Sequence, residues 1–572
     1  MSLEILRAEA RRRAASALEE RGFLAGADDS WRGTVTAGGS TWRMRAMLPA
    51  SFPDVLPEVF VEGEFGALAH VERNGKVCIA PSTGVLLDTT RPEDLVRDAL
   101  DRATRVLSLS TEEHRRDRLT EFNAYWAVVS NNQLASICPV PLRLGEIPIA
   151  SISGPTTLRL AAADAASATR WAERTGHRVT GWESAFALPL LSPLDPPPLN
   201  GVITVGEACR SIRDHIDPSA WEALEAWIAK SGLPAIVCMS QPVPPDGDSV
   251  VFAAHLPPPS GDNAKLWKNG FRPRHAPRRR QLAFASREVV DRWIVNRLDA
   301  PFLLKRGGGH PALLQKRIAL IGCGAVGSPL ATMLGASGIG AIQLVDKESL
   351  AAANLQRHEL GAADMGRAKV QGLKERLHAK YPHISIDTHN GDVLSLLRSQ
   401  PDVFDGYSLV AIALGDETAE RRINQIVADR VPRVHVWLEP LGVGGHVLVT
   451  GFSGKNGCYN CLFRTDPEFG LVNVSALVAP GQDLQRTFAG CAGVFTSFGS
   501  VDAHRIATEA CRQIMRVLQG IITEPQLTSW QGSRETILSE GHVLSERGKA
   551  FAEDTFQTTL LKGSVCDVCG NA

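Results

Sequence analysis

The stretch from Arg317 to Gly327, Arg-Ile-Ala-Leu-Ile-Gly-Cys-Gly-Ala-Val-Gly, carries the strongest fold signal in this chain of 572 residues. Its apolar run at 318–321 predicts a buried strand, and Gly322, Gly324 and Gly327 form a G-x-G-x-x-G turn into a predicted helix. Such glycines let the backbone approach a phosphate-bearing ligand at a helix amino terminus. Asp346 follows at the spacing expected of a residue that binds ribose hydroxyls. The turn by itself suits NAD as well as ATP.

Two further predicted strands extend this pattern. One covers 341–345 and ends in Asp346, and another covers 409–414 and ends in Gly415 and Asp416. Strands that alternate with helices predict an α/β fold with a parallel sheet, whose site lies at the carboxyl ends of the strands. We therefore expect the carboxyl-terminal half to form a Rossmann-like domain.

Residues between these strands distinguish the two nucleotides. After Asp346 come Asn354 and Arg357, then Gly-Arg-Ala-Lys ending at Lys369, then Asp416. This order resembles the ThiF-type adenylation domain of ubiquitin-activating enzymes and their bacterial sulphur-carrier relatives. The resemblance implies ATP and Mg²⁺, with Asp346 on the ribose and Asp416 positioning the magnesium and the carboxylate under attack. Asn354, Arg357 and Lys369 would bind the triphosphate. An NAD-dependent dehydrogenase would share only the glycine turn and Asp346.

Two C-x-x-C pairs lie far apart in the carboxyl-terminal half: Cys458 with Cys461, and Cys566 with Cys569. Four thiolates complete a tetrahedral Zn²⁺ site and leave no position open for substrate, so the predicted zinc is structural. The chain has 11 cysteines in all. An odd number scattered along a long chain is typical of a reducing cytoplasm rather than of a secreted disulfide framework.

Cys491 lies in a glycine-flanked segment before a predicted helix that carries Asp502 and Arg505. A helix amino terminus favours the thiolate form of a nearby cysteine. The surroundings resemble the cysteine of ubiquitin-activating enzymes that attacks the acyl-adenylate, and this implies a catalytic role for Cys491. The alternative is a buried apolar cysteine, which suits Cys511 in the middle of that helix better.

The first 130 residues contain a second candidate nucleophile. A proline-rich segment at 48–59 precedes Asn-Gly-Lys-Val-Cys, which ends at Cys78. This pattern resembles ubiquitin-conjugating enzymes and implies that Cys78 carries a thioester. His70 is followed by Val71 and Glu72, so the asparagine that steadies the oxyanion in that family is absent. An inert binding version of the fold is the alternative, but it would normally lack the cysteine.

Three helices are predicted in this α+β region. The first covers 3–21, and capping-box spacing at 90–93 and at 110–113 opens the other two. The last helix ends in an aromatic cluster that resembles a signature of the bacterial conjugating branch: Phe122, Tyr125 and Trp126.

Residues 131–285 consist of short apolar runs between proline-rich stretches and predict only one clear helix, at 218–230, with Asp217 as its cap. We therefore expect three domains: a conjugating-like domain at 1–130, a central linker domain of unknown role at 131–285, and an adenylation domain at 286–572. The family resemblance covers the first and the third.

The formal net charge of −1 argues against direct nucleic-acid binding and against an anionic membrane as the main partner. No apolar run reaches the ~20 residues that span a bilayer, and the start does not resemble a signal peptide. We expect a cytoplasmic protein.

A conjugating domain before an activating domain resembles the fusion protein of bacterial CBASS anti-phage operons. That resemblance implies a transferase that adenylates a protein carboxyl terminus, holds it on Cys491, transfers it to Cys78 and releases it to an amine on a target. The activated protein is expected to be a cGAS-like nucleotidyltransferase. The enzyme is expected to be a homodimer, in which Arg292 or Arg297 reaches the triphosphate across the interface. A conjugation enzyme of another bacterial operon, or a sulphur-carrier adenylyltransferase, remains the alternative.

Overall fold

A computed structural model describes most of the chain and divides it into two compact units. The amino-terminal unit comprises Met1–Thr169 and Val179–Leu298, and the carboxyl-terminal unit comprises Arg170–Arg178 and Asp299–Ala572. The described residues are 3–26, 30–66, 68–80, 84–127, 132–197, 201–243, 248–260, 281–427, 430–487, 494–495, 497–562 and 566–570.

The amino-terminal unit begins with a small α+β region, as the sequence predicts. Its elements are α1 (Leu3–Glu20), β1 (Leu24–Ala25), β2 (Ser30–Ala37), β3 (Ser40–Met47), β4 (Glu58–Glu62), α2 (Pro92–Leu107), α3 (Thr111–Thr120) and α4 (Phe122–Ala127). The strands pair antiparallel in the order β1-β2-β3-β4. Apolar side chains of α1 and α2 share one hydrophobic core with the inward-facing side chains of β3 and β4.

The two predicted capping boxes of this region have different outcomes. At α3, the Ser110 hydroxyl accepts a bond from Glu113 N at 3.3 Å, and the Glu113 carboxylate accepts one from Ser110 N at 2.8 Å. At α2, the predicted box is wrong. Thr90 donates from its backbone N–H and its hydroxyl to Asp88 Oδ1, at 3.0 and 2.5 Å, so its side chain turns away from the helix.

The central region is a closed seven-stranded β-barrel, which the sequence did not predict. Its elements are β5 (Gln133–Ser136), β6 (Gly145–Ser153), β7 (Leu158–Ala161), α5 (Ala165–Arg174), β8 (Arg178–Pro189), α6 (Val205–Arg213), α7 (Pro218–Ser231), β9 (Ala235–Val243), β10 (Asp248–Leu256), α8 (Gln281–Phe284) and β11 (Asp291–Arg297). Strand order around the barrel is β10-β11-β5-β7-β6-β8-β9. The predicted helix is α7, and Asp217 caps it as expected. Because β11 pairs with β10 and β5, the barrel extends past the boundary expected at 285.

Helix α4 packs the first region onto the barrel within this unit. The rings of Phe122 and Trp126 lie 4.6 and 4.7 Å from the ring of Phe252 on β10. Trp126 Nε1 also donates to Ala253 O at 3.0 Å. Part of the predicted aromatic cluster therefore belongs to the barrel contact.

The carboxyl-terminal unit contains an eight-stranded sheet with helices on both faces. Its elements are α9 (Ala300–Arg306), β12 (Arg317–Ile321), α10 (Gly327–Ser337), β13 (Ala341–Asp346), α11 (Lys369–Lys380), β14 (Ser385–Asn390), α12 (Val393–Ser399), β15 (Leu409–Ile412), α13 (Glu417–Val427), β16 (Arg433–Leu438), β17 (Gly444–Thr450), β18 (Phe463–Asp466), β19 (Gly470–Asn473), β20 (Arg486–Thr487), β21 (Val494–Phe495), α14 (Ser500–Leu518), β22 (Gln526–Gln531), α15 (Glu535–Ser539), α16 (Glu546–Ala550) and β23 (Phe556–Leu560).

The order of strands in this sheet is β14-β13-β12-β15-β16-β17-β22-β23. The strands β14, β13, β12, β15 and β16 run parallel, which confirms the predicted α/β sheet, whereas β17, β22 and β23 extend it in antiparallel fashion. Alternate residues of β12 face the two opposite helical layers, so all four residues after Arg317 are apolar. Within the described ranges, every helix falls short of the length or the apolar character that crossing a bilayer requires.

Candidate functional site

The glycine turn between β12 and α10 needs glycine at two positions for packing and leaves the third open. Gly322 has φ 88°, and a Cβ on it would lie 2.5 Å from Ala413 O. A Cβ on Gly327 would lie 1.9 Å from Gly322 O. A Cβ on Gly324 would meet no atom within 4 Å. Gly324 therefore leaves room on the side of the turn where a ligand can approach.

A cavity of about 290 Å³ opens at this turn, beside the carboxyl ends of β12, β13, β14 and β15. We name it the turn cavity. Four predicted site residues line it together: Gly322, Gly324, Asp346 and Asp416. Asn354, Arg357 and Lys369 are not among its described lining residues, so their predicted contacts with the triphosphate stay predictions.

Asp346 ties the end of β13 to the glycine turn. Its Oδ2 accepts a bond from Cys323 N at 2.6 Å, and its Oδ1 accepts one from Glu348 N at 2.8 Å. Cys323 itself is fully buried, and burial raises the pKa of its thiol well above the usual value. Cys323 is therefore a packing residue, and the Asp346 carboxylate is held at the cavity wall.

Lys369 lies just behind the cavity wall. Its side chain is only 2% exposed, and its ammonium group forms an ion pair with the carboxylate of Glu348, which lines the cavity. Lys369 N also donates to Glu348 O at 3.0 Å. A buried ammonium needs such a partner because desolvation of an unpaired charge is costly. Glu348 thus connects Lys369 to the turn cavity, a role that the sequence did not indicate.

His358 links the segment before Lys369 to the glycine turn through hydrogen bonds. The resembling family usually has glutamine at this position. The Nδ1 of His358 accepts a bond from Leu360 N at 3.0 Å, so its proton lies on Nε2, which donates to Cys323 O at 2.7 Å. Burial lowers the pKa of His358 and keeps the ring neutral. In the same segment, Asn354 accepts a bond from Ala351 N at 3.0 Å, and the Arg357 guanidinium lies 4.6 Å from the ring of Phe498.

Asp416 caps α13, because its Oδ1 accepts a bond from Ala419 N at 3.0 Å. The turn that carries it borders two cavities. Asp416 lines the turn cavity, while Gly415 and Glu417 line a second cavity of about 710 Å³. We name the second one the hairpin cavity, since residues of the β18–β19 hairpin line it together with the segment that follows. Its apolar lining includes Phe469, Leu471, Val472 and Val474.

Asp392 also lines the turn cavity and was missed at the level of sequence. It follows β14 and caps α12 by accepting a bond from Ser395 N at 2.9 Å, which lowers the pKa of its carboxyl group. The signal was available, since Asp346, Asp392 and Asp416 each come at or just after the end of a strand. Because strand β14 was not predicted from the sequence, Asp392 could not be placed at the carboxyl end of a strand.

The four predicted zinc ligands meet in space. The sulphurs of Cys458, Cys461, Cys566 and Cys569 all lie within 4.8 Å of one another. Gly457 N donates to Cys569 Sγ at 3.3 Å, and Cys458 N donates to Cys461 Sγ at 3.4 Å. The hydrogen bond from the Cys461 thiol lowers the pKa of Cys458 to about 5. Such a closed set of four thiols could hold zinc in a structural site.

Cys78 is exposed, and its loop is stabilised by contacts with residues on both sides of it in the sequence. Its backbone N–H donates to His70 O at 2.7 Å, and its Sγ lies 3.7 Å from Ala80 O. His70 has φ 60°, a left-handed conformation that a residue with a Cβ rarely adopts. Tyr125 stabilises it, because the Tyr125 hydroxyl accepts a bond from His70 N at 3.2 Å.

Side chains of α3 and its flank surround the His70 ring. Nε2 lies 3.3 Å from Asp117 Oδ2, and Nδ1 lies 3.5 Å from Glu121 Oε1. His114 Nδ1 accepts a bond from Ala69 N at 3.0 Å, and burial lowers the pKa of His114, which favours this neutral form. Of the four residues at 114, 117, 121 and 125, only Tyr125 was predicted from the sequence, as part of the aromatic cluster. Their spacing of three, four and four residues predicts one helical face and could have found the other three.

Cys491 lies outside the described residues. Downstream of it, Asp502 accepts a bond from Gly499 N at 3.1 Å at the start of α14, and Cys511 is buried in the core, in line with the packing role expected of it. The expectation for Arg292 is wrong. Its side chain is buried in the barrel unit and donates to Gly201 O at 3.2 Å. Arg297 donates to Ser249 O at 2.6 Å, and its action across a dimer stays a prediction.

Two protein families are similar to separate regions of the chain. Residues 302–537 match the ThiF family, and residues 13–135 match the prokaryotic E2 family B. A solved structure of Escherichia coli MccB is also similar, with a TM-score of 0.35 and 16% identity, over 47% of this chain and 68% of that chain.

Individual relatives match over part of their length. Cap2 of Vibrio cholerae, an ATP-dependent ubiquitin transferase-like protein, is 31% identical over 242 residues, which cover 39% of this chain and 39% of that protein. UBA4 of Saccharomyces cerevisiae, an adenylyltransferase and sulfurtransferase, is 26% identical over 160 residues, which cover 28% of this chain and 36% of that protein. The chain thus spans 39% and 36% of the length of these two relatives. It carries a region that matches the prokaryotic E2 family B ahead of a region that matches the ThiF family, an order that resembles the conjugation proteins of CBASS operons.

Proposed function

We propose that this chain uses ATP to activate the carboxyl terminus of a protein and ligates it to an amine through two successive thioesters. The observation that carries the proposal is the turn at Gly415 and Asp416, which separates the turn cavity from the hairpin cavity. A nucleotide in the first cavity and an extended carboxyl-terminal tail in the second would meet at Asp416. Bringing two reactants together in this way is a large part of catalysis.

The first step joins those two substrates. An oxygen of the terminal carboxylate attacks the α-phosphorus of ATP, the bond to the bridging oxygen breaks, and pyrophosphate leaves. The product is an acyl-adenylate. Gly324 gives the phosphates room, Asp346 holds the ribose, and Lys369 supplies positive charge from behind Glu348. Asn354 and Arg357 would close on the triphosphate when it is bound.

Two metal ions fit the residues present. The carboxylates of Asp416 and Asp392 line the same cavity, and carboxylate oxygens are ligands that Mg²⁺ prefers. When bound, Mg²⁺ neutralises charge on the phosphates. The four-cysteine cluster at 458, 461, 566 and 569 suits Zn²⁺ as a structural ion.

The relay then uses two thiols. The Cys491 thiolate attacks the carbonyl carbon of the acyl-adenylate and releases AMP, and the Cys78 thiolate takes the acyl group from Cys491. An amine of the target attacks the Cys78 thioester, loses a proton, and releases the thiolate. Two observations support the last step: Cys78 is exposed, and its N–H donates to His70 O while the ring of His70 contacts Asp117 and Glu121.

We assign these roles to the expected domains: conjugation to about the first 130 residues, and adenylation to the region that follows the barrel. The resemblance to CBASS conjugation proteins supports a cGAS-like nucleotidyltransferase as the activated protein, in a cytoplasmic homodimer. A sulphur-carrier adenylyltransferase is the second candidate, favoured by the similarity to UBA4. That function leaves Cys78 and the E2-like match at 13–135 without a role.

Pyrophosphate exchange into ATP tests the adenylation step. We expect exchange that depends on the protein substrate, falls by at least ~10²-fold in Asp416→Ala because a charge-positioning group is lost, and survives in Cys491→Ala. Asp402→Ala, at an exposed aspartate away from both cavities, is the matched control. Parental exchange in Asp416→Ala would overturn the assignment, and loss of exchange in folded Cys491→Ala would show that Cys491 acts before thiol transfer.

A further inference from the structure

Glu420 is a fully buried carboxyl group that holds the turn of Asp416 from inside the domain. It lies in the first turn of α13, and its Oε1 accepts a bond from Gly415 N at 3.1 Å. Its Oε2 lies 2.9 Å from His435 Nδ1 on β16. The backbone position of Asp416 therefore depends on a buried side chain that also forms part of the hairpin cavity wall.

His435 connects this contact to the four-cysteine cluster. The His435 ring is fully buried and stacks on the ring of Tyr459, with centroids 4.4 Å apart and planes 11° apart. Tyr459 is also buried and lies between Cys458 and Cys461 in a 3₁₀ turn at Tyr459–Leu462. A path of contacts thus runs from Gly415 to the cluster through three buried side chains: Glu420, His435 and Tyr459.

A second contact joins the same helix to the cluster one turn further along. Asn424 Nδ2 donates to Asn460 Oδ1 at 3.1 Å, and Arg433 donates to Asn424 Oδ1 at 3.2 Å. Glu420 and Asn424 are four residues apart, so they lie on one face of α13. Helix α13 is therefore capped by Asp416 at one end and attached to the cysteine cluster along its buried face.

The chemistry of this path is unusual for a domain core. Burial raises the pKa of Glu420 and lowers that of His435, so both groups are neutral and the Glu420 carboxyl donates to Nδ1. The Nε2 of His435 has no hydrogen-bond partner among the described residues. A buried polar group left unsatisfied costs stability, and packing needs alone would favour apolar residues here.

We propose that Glu420 and His435 are positioning residues that couple the four-cysteine cluster to the turn of Asp416. The cluster then sets where the Asp416 carboxylate stands, in addition to stabilising the domain. Coupling of this kind travels through packed side chains and rigid helices. The proposal rests on the proposed function for the role of Asp416, but the contacts themselves are measurable without catalysis.

Hydrogen exchange followed by mass spectrometry reads the position of the turn directly. In Glu420→Leu, amides at 414–416 should exchange at least about tenfold faster, the effect of losing roughly one such hydrogen bond. Glu420→Gln should restore parental exchange, since its carbonyl accepts from Gly415 N and its amide donates to Nδ1. His435→Leu cuts the same path at its next residue and should match Glu420→Leu. Ile423→Ala, fully buried on the same helix, is the control for general destabilisation and should leave these amides unchanged.

Zinc removal tests the coupling from the other end. Treating the parent protein with a chelator should accelerate exchange at 414–416 as well as near the cysteines, and should add little to Glu420→Leu, because both changes break one path. Acceleration confined to the cysteine segment, or equal acceleration in Ile423→Ala, would overturn the proposal.

Pyrophosphate exchange measured in parallel separates the two proposals. It should fall about tenfold in Glu420→Leu and recover in Glu420→Gln, in line with one lost positioning contact. If the parent shows no pyrophosphate exchange but the amides behave as expected, the proposed function fails and the coupling stands.

Discussion

Cys78 is exposed on a loop in which the ring of His70 faces two carboxylates, whereas the sulphurs of Cys458, Cys461, Cys566 and Cys569 lie within 4.8 Å of one another. The two sites also differ in whether backbone N–H groups donate to sulphur. In the four-cysteine cluster, backbone N–H groups of Gly457 and Cys458 donate to sulphur. At Cys78, the backbone N–H donates to His70 O instead. The Tyr125 hydroxyl accepts from His70 N and so binds the backbone of the loop rather than the sulphur.

The difference shows how one side chain takes two chemical roles. N–H donors aimed at sulphur stabilise thiolates that a metal can bind permanently. Among the described residues no N–H group donates to the Cys78 sulphur, and this exposed thiol is available to a macromolecular substrate. The predictions below test whether loss of each kind of thiol removes a reaction or a folded domain.

The largest effect is expected at Cys78. Cys78→Ala should abolish conjugate formation, a loss of at least ~10³-fold, because no other group can carry the acyl chain at this step. Pyrophosphate exchange and the Cys491 thioester should persist. Cys78→Lys should trap a stable amide, seen as a mass increase that resists a thiol reductant.

Cys209→Ala is the matched control for Cys78. Burial raises the pKa of the Cys209 thiol to about 11, so this cysteine is unreactive near neutral pH, and its removal should leave conjugation intact. If Cys78→Ala conjugates at the parental rate, the amino-terminal region is a binding module only.

At the four-cysteine cluster the expected loss is one of stability. The parent should contain about one zinc per chain, and Cys458→Ser should release it and lower the melting temperature by at least ~10 °C, since metal binding contributes directly to folding free energy. Cys511→Ala, at a buried thiol outside the cluster, should lower the melting temperature less and keep the zinc. Elemental analysis that finds no zinc in protein purified without chelator would contradict the assignment.

The same contrast explains what could be predicted from sequence. Strand β12 and the glycine turn are local patterns, and the C-x-x-C pairs bring ligands together by spacing alone, so all three were predictable. The barrel was not. Strands such as β9 are buried on both faces, by apolar side chains of the barrel interior and by helices outside, and the alternation that identifies a strand disappears.

The site side chains also fall into two groups: those that local sequence patterns identify and those that only tertiary contacts identify. Asp346 and Asp416 lie at or after recognisable strands and could be assigned. The spacing of Asp117 and Glu121 places them on one helical face, but only the fold shows that this face meets His70. The roles of Glu420 and His435 could not be predicted, because they depend on a contact between a helix and a strand that only the fold brings together. Charged residues in sequence are ordinarily solvated, and only the fold reveals which are buried.

The smallest expected effect sharpens the description of the Cys78 loop. Tyr125→Phe removes the hydroxyl that accepts from His70 N and leaves that N–H unsatisfied, at a cost of about 1–3 kcal/mol. The loss should relax the left-handed conformation of His70 and slow amine attack on the Cys78 thioester about fivefold, roughly 1 kcal/mol of barrier. Formation of the Cys78 thioester should change less. Single-turnover discharge of purified thioester by a simple amine measures the step.

Burial raises the pKa of Tyr125 above its usual value, so the hydroxyl stays neutral and able to accept this bond throughout the working range. The rate ratio between parent and Tyr125→Phe should therefore be constant from roughly pH 7 to 9, below the ordinary tyrosine pKa. Tyr381→Phe, in the carboxyl-terminal unit, controls for the loss of a phenol and should leave discharge unchanged. Discharge at the parental rate in Tyr125→Phe would mean that the loop is held by Asp117, Glu121 and His114 without the tyrosine. The two kinds of cysteine site would still differ in exposure and in the N–H groups that donate to sulphur.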